Sequence, residues 1–283
     1  MMSPRARRGL KFGLGGLLAY LAFCQFFFIT HAMSGVFRPL SSLVFIPAAM
    51  AQGESVSYHQ VVELAHGLQG FGGVTKKKQA FDQALVASVY RLYVEHLAQE
   101  LKVKLTNTEV AEYELDSGLL TAGLQTAHWN AGDYRKFIIE PLLLAQKIEL
   151  AVSTDETYQT VAYDTMETLR KKVLQGMPFA DVAENFSEDS SARARGDLGM
   201  MNLATLPVWL EPALELRHQD IGTISSILTA PDAFWTVTLI EFIPSELPEQ
   251  ATIHFRGLAV KKKSFGAVIG DMMARNPAWV FVW

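Results

Sequence analysis

The chain has 283 residues, of which 49% are hydrophobic, with a formal net charge of −4 and a single cysteine, Cys24. This length suits an N-terminal anchor and one or two modest domains. The lone cysteine excludes an internal disulfide and a Cys-based zinc site. Residues 1–52 hold five basic and no acidic residues, whereas residues 53–283 hold the other 20 basic and all 29 acidic residues, a balance of −9. Such a body disfavours nucleic acid as a partner, because phosphate binding needs clustered Lys and Arg.

The N-terminal region has the pattern of a membrane anchor. Phe12–Thr30 is a run of 19 uncharged residues that nearly matches the thickness of a hydrocarbon core. The basic residues before it, Arg5, Arg7, Arg8 and Lys11, favour a cytoplasmic N-terminus. We therefore expect residues 1–52 to form a basic tail, a transmembrane helix and a linker. The body would lie on the extracytoplasmic side of a bacterial inner membrane. Cleavage after Ala49-Met50-Ala51 and lipidation of Cys24 are the alternatives.

Residues 53–152 are predicted to form an all-α module. Apolar residues recur at close to helical spacing through Gln79–Leu101. The segment Thr106-Asn107-Thr108-Glu109 is a capping box that opens a second helix. Asp133 is expected to cap a third helix, in which Pro141 either introduces a kink or marks the start.

Residues 153–246 are predicted to form an α+β domain. Helices are expected at Tyr158–Val173, Phe179–Phe186 and Pro207–Leu216, and strands at Thr223–Leu228 and Phe234–Phe242. This order of elements is typical of a small antiparallel sheet covered by helices.

Residues 247–283 are expected to form a short C-terminal β-α-β extension. Ala251–Lys261 alternates like a strand and contains His254, and it precedes a helix at Phe265–Ala274 and a strand at Trp279–Trp283. The alternative is that Ala251–Lys261 completes the sheet of the preceding domain.

The segment Met177–Phe242 carries F-A-D-V-A, F-S-E-D-S-S-A, R-G-D-L-G and G-T-I-S in that order, followed by the strand F-W-T-V-T-L-I-E-F. These motifs closely resemble the parvulin family of peptidyl-prolyl isomerases, in which they read F-x-x-x-A, F/Y-S-x-C/D-x-S-A, G-G-D-L-G and G-x-I-S. The chain departs from the family in three ways. Arg195 replaces a glycine, the final strand lacks its histidine, and Glu149–Glu156 stands where the family has an opening H-I-L-V strand.

The resemblance implies a site that isomerises X-Pro bonds without a cofactor or metal. Asp189 takes the place of the family's Cys or Asp, and it would hold charge or a hydrogen bond near the twisting carbonyl. The implied substrate-binding residues are Met201, Leu206, Leu210, Phe234 and Trp235. The first three would wall the proline ring, and the two aromatic residues stand where the final histidine is expected. From the residues alone, Asp189 equally suits a turn cap and the wall residues suit a plain core.

The helical region resembles the substrate-binding module of SurA/PpiD/PrsA-type chaperones at Lys104–Val110 and Leu142–Ile148. Together the resemblances imply a membrane-anchored extracytoplasmic folding factor of the parvulin type, acting on unfolded or proline-containing polypeptides, with weak or lost catalysis. The alternative is a non-catalytic chaperone or an assembly subunit of a membrane complex. A homodimer and a membrane-complex partner both remain open.

Overall fold

The computed structural model describes residues 45–69, 76–117, 130–247 and 250–282. These residues form two compact units. Unit 1 holds the described residues up to Ile148 and again from Ile269 onward, and unit 2 is Glu149–Val268. Each unit combines helices with an antiparallel sheet, so the described residues form a mixed α+β structure.

The elements follow one another in this order. The first part of the chain contains β1 (Pro47–Ala51), β2 (Glu54–Ser57), α1 (Tyr58–Leu68), α2 (Lys77–Glu100), α3 (Asn107–Ser117), α4 (Ala131–Tyr134), a π-helical segment (Arg135–Ile139) and α5 (Glu140–Thr154). The second part contains α6 (Glu156–Leu174), α7 (Phe179–Phe186), β3 (Asp197–Asn202), β4 (Leu228–Thr229), β5 (Ala233–Ile243), β6 (Thr252–Lys261), α8 (Phe265–Arg275) and β7 (Trp279–Val280). Short 3₁₀ segments lie at Ser190–Ala194, Leu203–Thr205 and Val208–His218.

Unit 1 contains a three-stranded sheet in the order β2-β1-β7, so the prediction of an all-α module is wrong. β1 and β2 form a hairpin around Gln52 and Gly53, whose φ angles are 55° and 80°. Two positive φ values are typical of a tight hairpin turn that matches the twist of the strands. The third strand comes from the end of the chain, and no local pattern could have indicated that pairing.

Side chains cap several helices of unit 1. At the start of α3 the Glu109 amide donates to Thr106 Oγ1 (3.2 Å) and the Thr106 amide donates to Glu109 Oε2 (2.8 Å), which confirms the predicted capping box. Asn130, and not Asp133, caps α4, because its side chain accepts the Asp133 amide. Pro141 lies in the first turn of α5, just after the π-helical segment, where its missing N–H is tolerated.

The expectation of a transmembrane helix, and of a single-pass protein of the inner membrane, is corrected by the structure. Across the described ranges 45–69, 76–117, 130–247 and 250–282, no helix has both the length and the apolar character needed to cross a bilayer. The predicted span, Phe12–Thr30, lies outside these ranges.

Unit 2 contains a four-stranded antiparallel sheet in the order β3-β6-β5-β4. β6 pairs with β3 on one side and with β5 on the other, so the expected separate β-α-β extension is wrong and the alternative arrangement is confirmed. The reason is visible in the burial of β6. Ile253 and Phe255 are fully buried on one face and Leu258 on the other, as a central strand requires.

The two faces of this sheet have separate cores. On one face, Val237 and Leu239 of β5 pack with Ile253 and Phe255 of β6 against the 3₁₀ segment Val208–His218. On the other face, Phe234, Leu258 and Val260 pack against apolar residues of α6 and α7. Because successive strand residues point to opposite faces, the side chain of residue 234 lies on the opposite face from that of residue 235.

Candidate functional site

The loop that carries the S-E-D-S-S-A motif precedes β3 and continues the hydrogen bonding to β6 beyond the first residue of β3. β3 pairs with β6 as far as Arg256. Beyond that residue, acceptors in the loop bind the backbone amides of every second residue of β6. The Gly257 amide donates to the Gly196 carbonyl (2.7 Å), and the Ala259 amide donates to Ser187 Oγ (2.8 Å). The Glu188 amide donates back to the Ala259 carbonyl (2.9 Å). The motif is therefore fixed along the edge of the central strand.

Asp189 lies at the centre of this loop. Its carboxylate accepts hydrogen bonds from Ser187 Oγ (2.6 Å) and from the Ser191 amide (2.8 Å), and it caps the 3₁₀ segment that follows. Among the described residues it has no ion pair, so its negative charge is balanced only by neutral donors. Ser187 links it to Ala259, which is directly opposite Trp235 in the sheet. Asp189 is thus a turn cap, and Ser187 connects it to Ala259, the strand position opposite Trp235.

Trp235 forms an aromatic surface with Trp209. The ring centroids are 5.1 Å apart with an interplanar angle of 27°, and both side chains are partly exposed. Gly257 makes room for Trp235, because a Cβ at residue 257 would lie 2.8 Å from Trp235 Cζ3 and 2.9 Å from Leu198 Cδ1. We call Trp209 and Trp235 the aromatic platform. Offset stacking at this spacing is a favourable geometry for two indoles.

The structure brings four of the five implied substrate-binding residues together. Met201, Leu206, Leu210 and Trp235 belong to one apolar cluster with Trp209, in which Leu206 and Leu210 are buried and Met201 is partly exposed. Phe234 does not join them. It is buried on the other face of the sheet, where its ring packs edge-to-face with that of Tyr163 and the two ring centroids are 5.3 Å apart.

His254 is hydrogen-bonded to the carboxylate of Asp197 and not to that of Asp189. Its Nε2 lies 2.6 Å from Asp197 Oδ1, and the same oxygen accepts the Gly199 amide (2.8 Å). These hydrogen bonds, that of His254 first, hold the pKa of Asp197 below its usual value. The hydrogen bonds of Asp189 go instead to Ser187 and Ser191. His254 therefore fixes the start of β3 and is not bonded to the candidate catalytic carboxylate.

Comparison with known proteins gives one family. Residues 143–241 match the model of the rotamase family described as a PPIC-type PPIASE domain, and no curated protein matches the chain. The chain therefore contains a parvulin-type peptidyl-prolyl isomerase domain. The match ends before β6, although β6 is one of the two inner strands of the sheet.

Three residues of this site were missed by the sequence reasoning: Ser187, Trp209 and Gly257. One signal for Gly257 was present, since Gly257-Leu258-Ala259-Val260 has the apolar pattern of the family's H-I-L-V strand with glycine at the histidine position. Of the two residues expected at the final histidine position, Trp235 belongs to the apolar cluster, and its ring occupies the space above Gly257. The resemblance therefore implies that an indole and an open backbone position stand in place of the two imidazoles. No sequence pattern links Trp209 to them.

Proposed function

We propose that unit 2, which contains residues 149–241 of the parvulin match, is a slow peptidyl-prolyl cis-trans isomerase that acts on proline-containing segments of unfolded polypeptides. One observation carries the proposal above the family match: the Asp189 loop is bonded to β6 opposite Trp235, beside the apolar cluster that contains Met201. An apolar wall and a charge at the same strand position are the two features that the reaction requires.

The chemistry follows from amide resonance. Resonance gives the C–N bond its barrier of about 20 kcal/mol and places partial negative charge on the carbonyl oxygen. A carboxylate near that oxygen disfavours the planar, polarised amide relative to the twisted one, and catalysis depends on this difference. Asp189 would supply the charge, and the apolar cluster would hold the proline ring. Turnover would be slow because neither Trp235 nor Gly257 supplies an imidazole that could orient Asp189 by a hydrogen bond.

The test is X-Pro isomerisation by the full chain, measured by NMR exchange spectroscopy on a short proline peptide, beside Asp189→Asn. Asparagine still caps the 3₁₀ segment but carries no charge. We expect acceleration by the parent chain and the loss of most of it in the variant, because removal of one polar stabiliser of a transition state typically costs about 10²–10³ in rate. Asp220→Ala, which removes an exposed carboxylate elsewhere in unit 2, should keep full activity.

The alternative is a non-catalytic folding factor that binds such segments without isomerising them. The replacement of both histidine positions by Trp235 and Gly257 favours it, as does the resemblance of Lys104–Val110 to helical chaperone modules. In the same NMR experiment this alternative predicts that the peptide's chemical shifts change while its cis-trans exchange is not accelerated. It also predicts that the parent chain and Asp189→Asn suppress the aggregation of an unfolded protein equally. A folded chain that neither binds nor isomerises the peptide would contradict both functions.

A further inference from the structure

The aromatic platform differs in electrostatic character from an aliphatic proline slot. The face of an indole carries a negative quadrupole that attracts Lys and Arg side chains, and tryptophan does this better than any other residue. Both Trp209 and Trp235 remain partly exposed, and they belong to different elements, a 3₁₀ segment and β5. A cationic side chain that lies beside a bound proline would therefore find a favourable surface here.

Two adjacent carboxylates of the loop add negative charge along the same part of β6, since Glu188 is bonded to Lys261 and Asp189 is linked through Ser187 to Ala259. Glu188 accepts the Lys261 amide (2.6 Å), and the Asp189 carboxylate accepts Ser187 Oγ and the Ser191 amide. Among the described residues neither carboxylate has an ion pair. Because all three donors are uncharged, both negative charges remain available to a bound ligand.

Two cations of the neighbouring elements, Lys262 and Arg195, are engaged elsewhere. Lys262 Nζ lies 5.2 Å from the centroid of Phe234, which is on the opposite face of the sheet from Trp235. Arg195 is paired with Asp181 and Glu184 of α7. Unit 2 as a whole has 17 acidic and 10 basic residues, a balance of −7. This net charge of the unit favours the approach of cationic ligands over acidic ones.

We infer that the site selects X-Pro segments in which a Lys or Arg stands directly before the proline. The proline ring would contact the apolar cluster, and the cationic side chain would contact the aromatic platform and the carboxylates of Glu188 and Asp189. The inference rests on the proposed function of unit 2, and it adds a substrate class to it. Gly257 contributes indirectly, since the Trp235 ring needs its open backbone.

The test compares three pentapeptides that differ only in the residue before proline: Lys, norleucine or Glu. Norleucine has the aliphatic length of Lys without its charge. Each peptide is titrated into the full chain, and its dissociation constant is measured from NMR chemical shifts. We expect the Lys peptide to bind about fivefold more tightly than the norleucine peptide, and the Glu peptide to bind most weakly. The preference should shrink between 50 and 500 mM salt, because the charges involved are partly exposed.

Two sets of variants locate the preference. Trp209→Leu removes one ring of the platform, and Glu188→Gln with Asp189→Asn removes the charges while keeping the cap. Both should bring the ratio of Lys to norleucine affinities towards one, with unchanged near-ultraviolet circular dichroism apart from the lost indole. Trp279→Leu is the matched control, since this tryptophan is 69% exposed in unit 1, and it should leave the ratio unchanged.

The outcomes separate this inference from the proposed function. Equal binding of the Lys and norleucine peptides overturns the selectivity and leaves the proposed function standing. A preference that survives both sets of variants overturns the assignment to these residues. Failure of all three peptides to bind a folded chain overturns the inference together with the proposed function.

Discussion

Gly196 lies at the most crowded backbone position of the site. Its φ is +82°, and a Cβ there would lie 2.3 Å from the Gly257 carbonyl oxygen and 2.8 Å from Ala183 Cβ. The close approach allows the Gly257 amide to bond to the Gly196 carbonyl. Only glycine satisfies both the left-handed conformation and this lack of space.

A pair of matched substitutions tests that requirement. Gly196→Ala should lower the free energy of unfolding by about 3 kcal/mol or more, because strain at positive φ is added to a backbone clash. Gly222→Ala has positive φ as well but meets nothing within 4 Å, so it should cost only about 1–2 kcal/mol. Urea unfolding measures both. Equal effects of the two changes would show that crowding at residue 196 is unimportant.

Arg195 stands where the family has glycine, and it adopts the left-handed region with φ of 60°. Its side chain pairs with Asp181 and Glu184 on α7, so a residue that is unfavourable for the backbone gains contacts with a neighbouring helix. The sequence showed only that Arg195 stands in place of a glycine of the family motif. It did not predict the ion pairs, because residues 181 and 195 are brought together only when the loop folds along β6.

At the scale of elements, the junction of α3 and α5 is held by one carboxylate. Glu109 Oε1 accepts Lys147 Nζ (2.6 Å), and Glu109 Oε2 accepts the Thr106 amide and hydroxyl. These bonds, that of Lys147 first, lower the pKa of Glu109 from 4.5 to about 2. A group with a lowered pKa in the folded state stabilises the fold above its unfolded pKa, and this contribution is lost as the pH falls.

Glu109→Gln should therefore flatten the acid side of the stability profile. Glutamine keeps the oxygen that accepts the Thr106 amide but does not titrate. The melting temperature of the variant should therefore fall less than that of the parent between pH 4.5 and pH 2. Thermal unfolding followed by circular dichroism across this range measures the slope. Glu112→Gln, an exposed residue on the same helix, is the control and should keep the parent's slope. An unchanged slope for Glu109→Gln would contradict the role of this carboxylate.

At the scale of the whole molecule, unit 2 is completed by a strand that lies outside the family match. Residues 143–241 supply β3, β4 and most of β5, and β6 arrives only at Thr252–Lys261. In the family the strand of H-I-L-V type precedes the first helix, whereas here α5 occupies that place in the chain. The sheet thus has its central strand supplied from the C-terminal side.

A shortened chain tests this arrangement. A chain that ends at Glu246 retains every residue of the family match but lacks β6. We expect unit 2 to lose its dispersed NMR amide signals and the near-ultraviolet signal of the aromatic platform, because Ile253, Phe255 and Leu258 are all fully buried. A chain that ends at Pro277 keeps β6 and α8, and it should retain both signals. Native signals from the chain ending at Glu246 would contradict the central role of β6.

The sequence by itself determined the features whose causes are local. The capping box at Thr106 and Glu109, the helix Phe179–Phe186 and the ordered parvulin motifs all depend on residues within a few positions of one another. Helices satisfy their hydrogen bonds within the segment, so their positions can be read from spacing. The tertiary structure alone decided that β6 is central, that β7 pairs with β1, and that Trp235 stacks on Trp209 above Gly257. The physical reason is that a strand bonds to partners anywhere along the chain, and the sequence pattern of β6 is compatible with either arrangement.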